Sequence, residues 1–204
     1  MPRRLAGVEA SRAHAPAAAV SSSSAGDDDD ARLIEAVAAG DLAAAQAAVA
    51  GGASVGVQGP GGLEPLNYAC ANGHLGIAQW LHSAGAPLDA TDMAGEAPLH
   101  YASLHGHLDI AQWLHSVGAS LDATDVMTGQ TPLHIACSQG HLDVAQWLCS
   151  AGADATLKCN EGSTPAQLLH RHARHNQLDR QALRSTMACL VRRAQGPLLC
   201  TTAP

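Results

Sequence analysis

Thr131-Pro132-Leu133-His134-Ile135-Ala136, then Gly140-His141-Leu142, then Ala145-Gln146-Trp147-Leu148: these three blocks decide how the chain is read. Each block has counterparts upstream. Gly-His-Leu recurs at Gly73-His74-Leu75 and Gly106-His107-Leu108, and Ala-Gln-Trp-Leu recurs at 78–81 and 111–114. The step is 33 residues from Gly73 to Gly106 and 34 from Gly106 to Gly140. Pro65, Pro98, Pro132 and Pro165 keep that step, as do Gly85, Gly118 and Gly152, while Gly40 and Gly52 carry the register one unit back. A fixed period of this length marks an array of small units rather than a single globule.

The unit can be built from its residues. Proline suits the first helical position, where its missing N–H is not needed. Leu-His-x-Ala continues for about two turns, and the Gly of Gly-His-Leu supplies a left-handed stop. A second helix starts at the next Leu, with Leu75, Ile77, Ala78, Trp80 and Leu81 on its apolar side, and ends at Gly85. The polar Asp-Ala-Thr-Asp stretch that follows predicts an extended excursion with reversals at Asp92 to Gly95 and Asp125 to Gly129. Neither helix can bury its apolar face alone, so stacking between units must make the core. Trp80, Trp113 and Trp147 recur once per unit beside an inward Leu, with Gln79, Gln112 and Gln146 on the wet side, and are expected in that core. Trp113→Ala would then cost roughly 3–5 kcal/mol.

A helix-turn-helix unit of this length with Thr-Pro-Leu-His-x-Ala, Gly-His-Leu and Ala-Gly-Ala resembles the ankyrin repeat. Thr131 to Ala136 matches in full. Ala97-Pro98-Leu99-His100-Tyr101-Ala102 lacks the Thr, Glu64-Pro65-Leu66-Asn67-Tyr68-Ala69 lacks Thr and His, and Ser163-Thr164-Pro165-Ala166-Gln167-Leu168 keeps only the start. These departures predict weaker local hydrogen bonding in the second and last units. The resemblance implies an all-α ankyrin-repeat solenoid of about five stacked helix-turn-helix units with short β-turn or hairpin fingers. The units fall near 31–61, 62–95, 96–129, 130–162 and 163–195. In the family, the His after Pro-Leu bonds between neighbouring turns, which assigns His100 and His134 a structural role.

The ends are atypical, as solenoid ends are. Ala44, Ala45, Ala47 and Ala48 stand where the next unit has Ile77, Ala78, Trp80 and Leu81, so the first unit buries less apolar area and should fray first. Residues 1–30 read as a disordered Ala/Ser-rich leader closing on the acidic run Asp27 to Asp30, directly before the first helix. Residues 176–194 read as one longer capping helix with Leu178, Ala182, Leu183, Met187, Leu190 and Val191 inward, and 196–204 as a disordered tail.

Composition narrows the class further. Apolar residues are 47% of the chain but aromatics only 2%, which favours close-packed Ala/Leu helices over a sheet sandwich. The 47% apolar content, with only 14% charged and a net charge of −7, is not that of a wholly disordered chain. The same balance disfavours general nucleic-acid binding, which needs clustered Lys and Arg. Six cysteines without a C-x-x-C pair read as reduced thiols of an intracellular protein, Cys70 and Cys137 as inert packing residues. The location expected is cytoplasmic or nuclear, or an organelle if residues 1–26 act as a transit peptide. No stretch reads as a membrane span, since Val37 to Val57 is broken by Asp41 and Gln46.

No catalytic motif is present, so neither an enzyme nor a cofactor is expected. His170, His172 and His175 suggest a metal, but their spacing scatters them around a helix and Arg171 and Arg174 repel a cation. What remains is a protein-binding surface, which the resemblance places on the turn tips and the exposed ends of the first helices. Its candidates are Asp92, Met93 and Glu96; Asp125, Val126, Met127 and Gln130; Asn160 and Glu161; and, on the helices, Leu104, His105, Ser138 and Gln139. Three apolar side chains at tips suit interface anchors, and the extra residue near Val126 and Met127 should enlarge one tip. From Leu33 to Leu157 there is no Lys or Arg and there are eleven acids; beyond it, seven basic residues face two acidic ones. A partner protein with a basic segment is therefore expected. An adaptor or scaffold and a regulatory or inhibitory subunit of an enzyme are not separated by these features; metal binding and nucleic-acid binding through the basic last helix are weaker readings.

Overall fold

Proline opens four helices and a left-handed glycine closes three of them, and this punctuation sets the architecture. The computed structural model describes residues 25–175 and 179–194. Its helices are α1 (Ala25–Ala39), α2 (Leu42–Gly51), α3 (Pro65–Asn72), α4 (Leu75–Ser83), α5 (Pro98–His105), α6 (Leu108–Ser116), α7 (Pro132–Gln139), α8 (Leu142–Ala151), α9 (Pro165–His175) and α10 (Arg180–Ala194). One 3-10 turn, Pro60–Gly62, precedes α3, and no strand occurs among the described residues. Two rows result. The first helices α1, α3, α5, α7 and α9 pack in sequence, and the second helices α4, α6, α8 and α10 run alongside.

Stacking makes the core, as the lone-helix argument requires. Leu66, Leu99 and Leu133 of the first helices and Ile77, Leu81, Ile110, Leu114, Val144 and Leu148 of the second are buried in one continuous cluster. Each buried aliphatic side chain contributes roughly 1.5–3 kcal/mol. Ala69, Ala102 and Ala136, with Ala78, Ala111 and Ala145, are fully buried and let neighbouring helices approach closely. Cys70 and Cys137 fill the adjacent first-helix positions, also fully buried, and burial holds both thiols well above their usual range.

Several expectations are corrected. The tryptophans lie half-buried on the flank of the core, while the following Leu takes the inward position. Helix α1 begins at Ala25, so the acidic run lies within its first turns: Asp29 pairs with Arg32 at 2.9 Å, and Asp30 accepts the Ser54 N–H at 2.8 Å. In α2 only Ala45 and Ala48 are buried, while Ala44 and Ala47 face outward. On α10, Thr186 and Leu190 are buried and Val191 is 45% exposed, while Leu178 lies outside the described residues, as do the tail and residues 1–24 of the leader.

Hydrogen bonding in the second unit is weaker, as expected, since among the described residues Glu64 makes no side-chain cap bond to α3 and Asn67 Oδ1 is buried without a partner, but in the second and last units other side chains substitute in part. His134 Nδ1 accepts from Thr131 Oγ1 at 2.8 Å, and its Nε2 donates across to Ser163 O at 3.2 Å. Asn67, at the same place in α3, donates from Nδ2 to Glu96 O at 3.4 Å, an equal reach of 29 residues. Gln167 Oε1 accepts the Thr164 N–H at 2.9 Å where His is missing from α9.

The cysteines are not all free. Cys149 of α8 and Cys189 of α10 form a disulfide, Cα to Cα 6.4 Å, leaving Cys70, Cys137 and Cys159 as buried thiols among the described residues. Spacing could not reveal this pair, since its two members lie 40 residues apart with no motif around them.

Candidate functional site

Each excursion between units closes as a short hairpin and leans on the one before it. Gly59 N–H donates to Leu63 O, Asp92 N–H to Glu96 O, Asp125 N–H to Gln130 O and Cys159 N–H to Ser163 O, at 2.8–3.2 Å. Successive tips are then bonded to each other: Met93 N–H to Gly61 O, Val126 N–H to Ala94 O and Asn160 N–H to Thr128 O, at 3.1, 2.9 and 2.8 Å. Asn160 Nδ2 adds a bond to Met127 O at 3.1 Å. The tips therefore form one continuous ledge rather than separate loops. Close approach depends on glycine: a Cβ on Gly95 would fall 2.9 Å from the Val126 backbone nitrogen.

The extra residue of the 34-residue step enlarges the tip at 125–130, where the hairpin closes over one residue more than at 92–96. Val126 stands over Gly95 as Met93 stands over Gly62, so Met127 is the side chain the longer tip adds. Met93, Val126 and Met127 are 80%, 73% and 73% exposed, while Asn160 and Glu161 are exposed at the last tip and Gln130 is half-buried.

Two candidate acids do not face outward as expected. Asp125 is 3% exposed, and its carboxylate accepts the backbone N–H groups of Met127, Thr128 and Gln130 and the Thr128 hydroxyl. Burial would push its carboxyl up, but these donors outweigh it and hold the group below the usual carboxylate value. Glu96 is buried as well. Asp92 is half-buried and does the same work in its own tip, accepting the Ala94 and Glu96 N–H groups and the Tyr101 hydroxyl at 2.8–2.9 Å. These acids shape the ledge. A sequence reading sees an Asp in a turn and cannot tell which way the carboxylate points.

Below the ledge lie the ends of the first helices. Leu104 is half-buried, and its carbonyl accepts from His141 Nε2 at 3.0 Å. His105 is exposed, its ring stacked 6.3 Å from His107; partial burial first, then the neighbouring His107 and His141, hold it below the ordinary histidine value. Ser138 donates to Ile135 O, and Gln139 is exposed beside it. The His107 and His141 rings, missed as part of this surface, join His105 there.

Of the histidines weighed for a metal, His170 accepts at Nε2 from Arg174 Nε at 3.1 Å, which places a guanidinium against the ring. Among the described residues no three His, Cys, Asp or Glu side chains are grouped to hold a metal ion, and no helix is long and apolar enough to cross a membrane. A family model described as ankyrin repeats in three copies matches residues 33–125, and another described as ankyrin repeats in many copies matches residues 125–169. No curated protein matches the chain.

Proposed function

The chain belongs to the ankyrin-repeat family, whose members are in general protein-binding modules and typically not enzymes, and from that premise we propose that it is an adaptor or scaffold gripping one partner protein across the ledge of turn tips. The observation that carries this reading is the exposure of Met93, Val126 and Met127 on tips tied to one another by backbone hydrogen bonds. Apolar side chains on a rigid support lose little conformational freedom on binding, which is what interface anchors require. Asn160 and Glu161 extend the surface along the ledge, and His105, Gln139 and the edges of Leu104 and Ser138 extend it down the first helices.

The surrounding field favours a partner with a basic segment. Residues 33–157 carry no Lys or Arg, and Asp89, Asp109, Asp122, Asp143 and Asp154 are exposed. Attraction of this kind speeds encounter and weakens with salt. The test replaces Met93, Val126 and Met127 by Ser together and uses the variant beside the natural protein to capture partners, with affinity then measured for the partner so identified. Folding measured by circular dichroism should not change, and affinity should fall by about a hundredfold, or roughly 2.7 kcal/mol. A partner bound equally well by both proteins would overturn the proposal.

A further inference from the structure

Cysteine is used in two different ways in this chain. Cys70 and Cys137 are buried thiols inside the stack, and Cys159 is a buried thiol at the base of the last turn tip. Cys149 and Cys189 instead join the last two elements of the second row, at a place in the repeat register that other units fill differently. His82, two residues after Trp80, sets its ring edge-on to Trp113 of the next helix at 6.0 Å; His115, two after Trp113, does the same to Trp147 at 5.9 Å. Two residues after Trp147 stands Cys149, and its partner on the next helix is Cys189. Where the array stacks by ring contact, its last helix is held by a covalent bond.

Apart from the disulfide, α10 is held to the array by non-covalent contacts alone. Leu190 is its one fully inward aliphatic side chain, Leu183 and Met187 pack half-buried on the core, and Thr186, Gln146 with Ser185, and Arg193 on the Cys149 and Ser150 carbonyls supply polar contacts. Cys149 is completely buried and Cys189 half-buried, so an incoming thiolate can reach sulfur only from the Cys189 side.

We infer that Cys149 and Cys189 form a reversible thiol–disulfide clip, which fastens α10 to the array when oxidised and releases it when reduced, with a small thiol of the glutathione class and its disulfide as co-reactants. In reduction, a glutathione thiolate attacks Cys189 Sγ, forming a mixed disulfide and breaking the bond to Cys149, which leaves as a thiolate and takes a proton. A second glutathione thiolate attacks the glutathione sulfur of that mixed disulfide, releasing Cys189 as a thiolate that is protonated in turn. The balance is one protein disulfide and two thiols in, two protein thiols and one glutathione disulfide out. Oxidation runs the same steps backwards.

The sequence provides its own probe. Residues 33–157 contain no Lys or Arg, so within the array and its cap trypsin can cut only after Arg32 and from Lys158 onward, including after Arg180 and Arg184 of α10. The full chain is equilibrated with reduced or oxidised glutathione, mapped by peptic digestion without reductant, and exposed briefly to trypsin. The expected result is a Cys149–Cys189 cross-linked peptide in the oxidised sample and cleavage after Arg184 faster by about tenfold or more in the reduced one. The Cys189→Ser variant should be cut at the reduced rate in both buffers. Failure of the cross-linked peptide to form with oxidised glutathione, or equal cleavage rates with and without it, would overturn the inference.

Discussion

The imidazole of His141 covers Gly106: its Nε2 lies 3.0 Å from Leu104 O, and a Cβ added to Gly106 would fall 2.6 Å from its Nδ1. The same pairing recurs as His74 over Gly40, His107 over Gly73 and His172 over Gly140, so each helix stop is also the seat of the next unit's histidine. Gly106 adopts φ 77°, which a residue with a Cβ adopts only at a cost. Gly118 has φ 104° but nothing within 4 Å of an added Cβ. Gly106→Ala should therefore lose about 2–4 kcal/mol, and Gly118→Ala about 1–2 kcal/mol from backbone strain alone. Urea unfolding compares them directly, and equal losses would mean the imidazole seat contributes nothing.

Acid should loosen the stack through its buried histidines. His134 accepts at Nδ1 from Thr131 and donates at Nε2 to Ser163 O, an arrangement only the neutral ring can make. Burial lowers its pKa and that of His100, and the nearby carbonyls and Asp125 offset this only in part. Both rings are thus neutral in the folded protein at pH values where the unfolded chain, with histidine near 6.5, has already taken up protons. Stability is fully present above pH 6.5 and declines as pH falls from there through the lower folded values. In His134→Gln, the decline below pH 6.5 should be shallower, as thermal melts at stepped pH would record.

Much of this was legible in the sequence because glycine and proline act locally. Pro98 and Gly106 fix the bounds of α5 through the chain's own geometry, whatever packs around it. The period then places equivalent residues in equivalent surroundings, which is how the exposed Met93, Val126 and Met127 could be found. What was not legible depends on direction in space. Asp125 and Glu161 are both acids in polar turns, yet one is enclosed by four donors and the other is exposed. Trp113 and Leu114 are adjacent apolar residues on one helix, and only the neighbouring unit decides which of them is sealed off. Cys149 stands in register within the fourth unit, but its partner Cys189 lies on α10 beyond the last full repeat, where periodicity gives no register.

The order of the two side chains in that pair can be tested. Leu114 is fully buried between helices, whereas Trp113 keeps solvent on one side and an edge contact with His82 on the other. Leu114→Ala should cost about 3–5 kcal/mol, and Trp113→Ala about 2 kcal/mol, less than a core tryptophan would. Chemical denaturation of the two variants decides it. A larger loss at Trp113 would return that residue to the core.

Asp125 offers the sharpest separation of shape from contact. Its carboxylate holds the enlarged tip from inside, so it need not touch a partner to matter for binding. Asp125→Ala removes the acceptor for three backbone N–H groups and one hydroxyl, which should cost about 1–3 kcal/mol. Amide exchange at Met127, Thr128 and Gln130 should quicken, while that of α5 stays unchanged. Because the folded group is held below the usual value of 3.8, its contribution is present above that pH and lost as pH falls through the lower folded value. Partner affinity should fall with the loosened tip even though Val126 and Met127 are intact. Unchanged amide exchange at the three positions would show that the tip keeps its shape without the carboxylate.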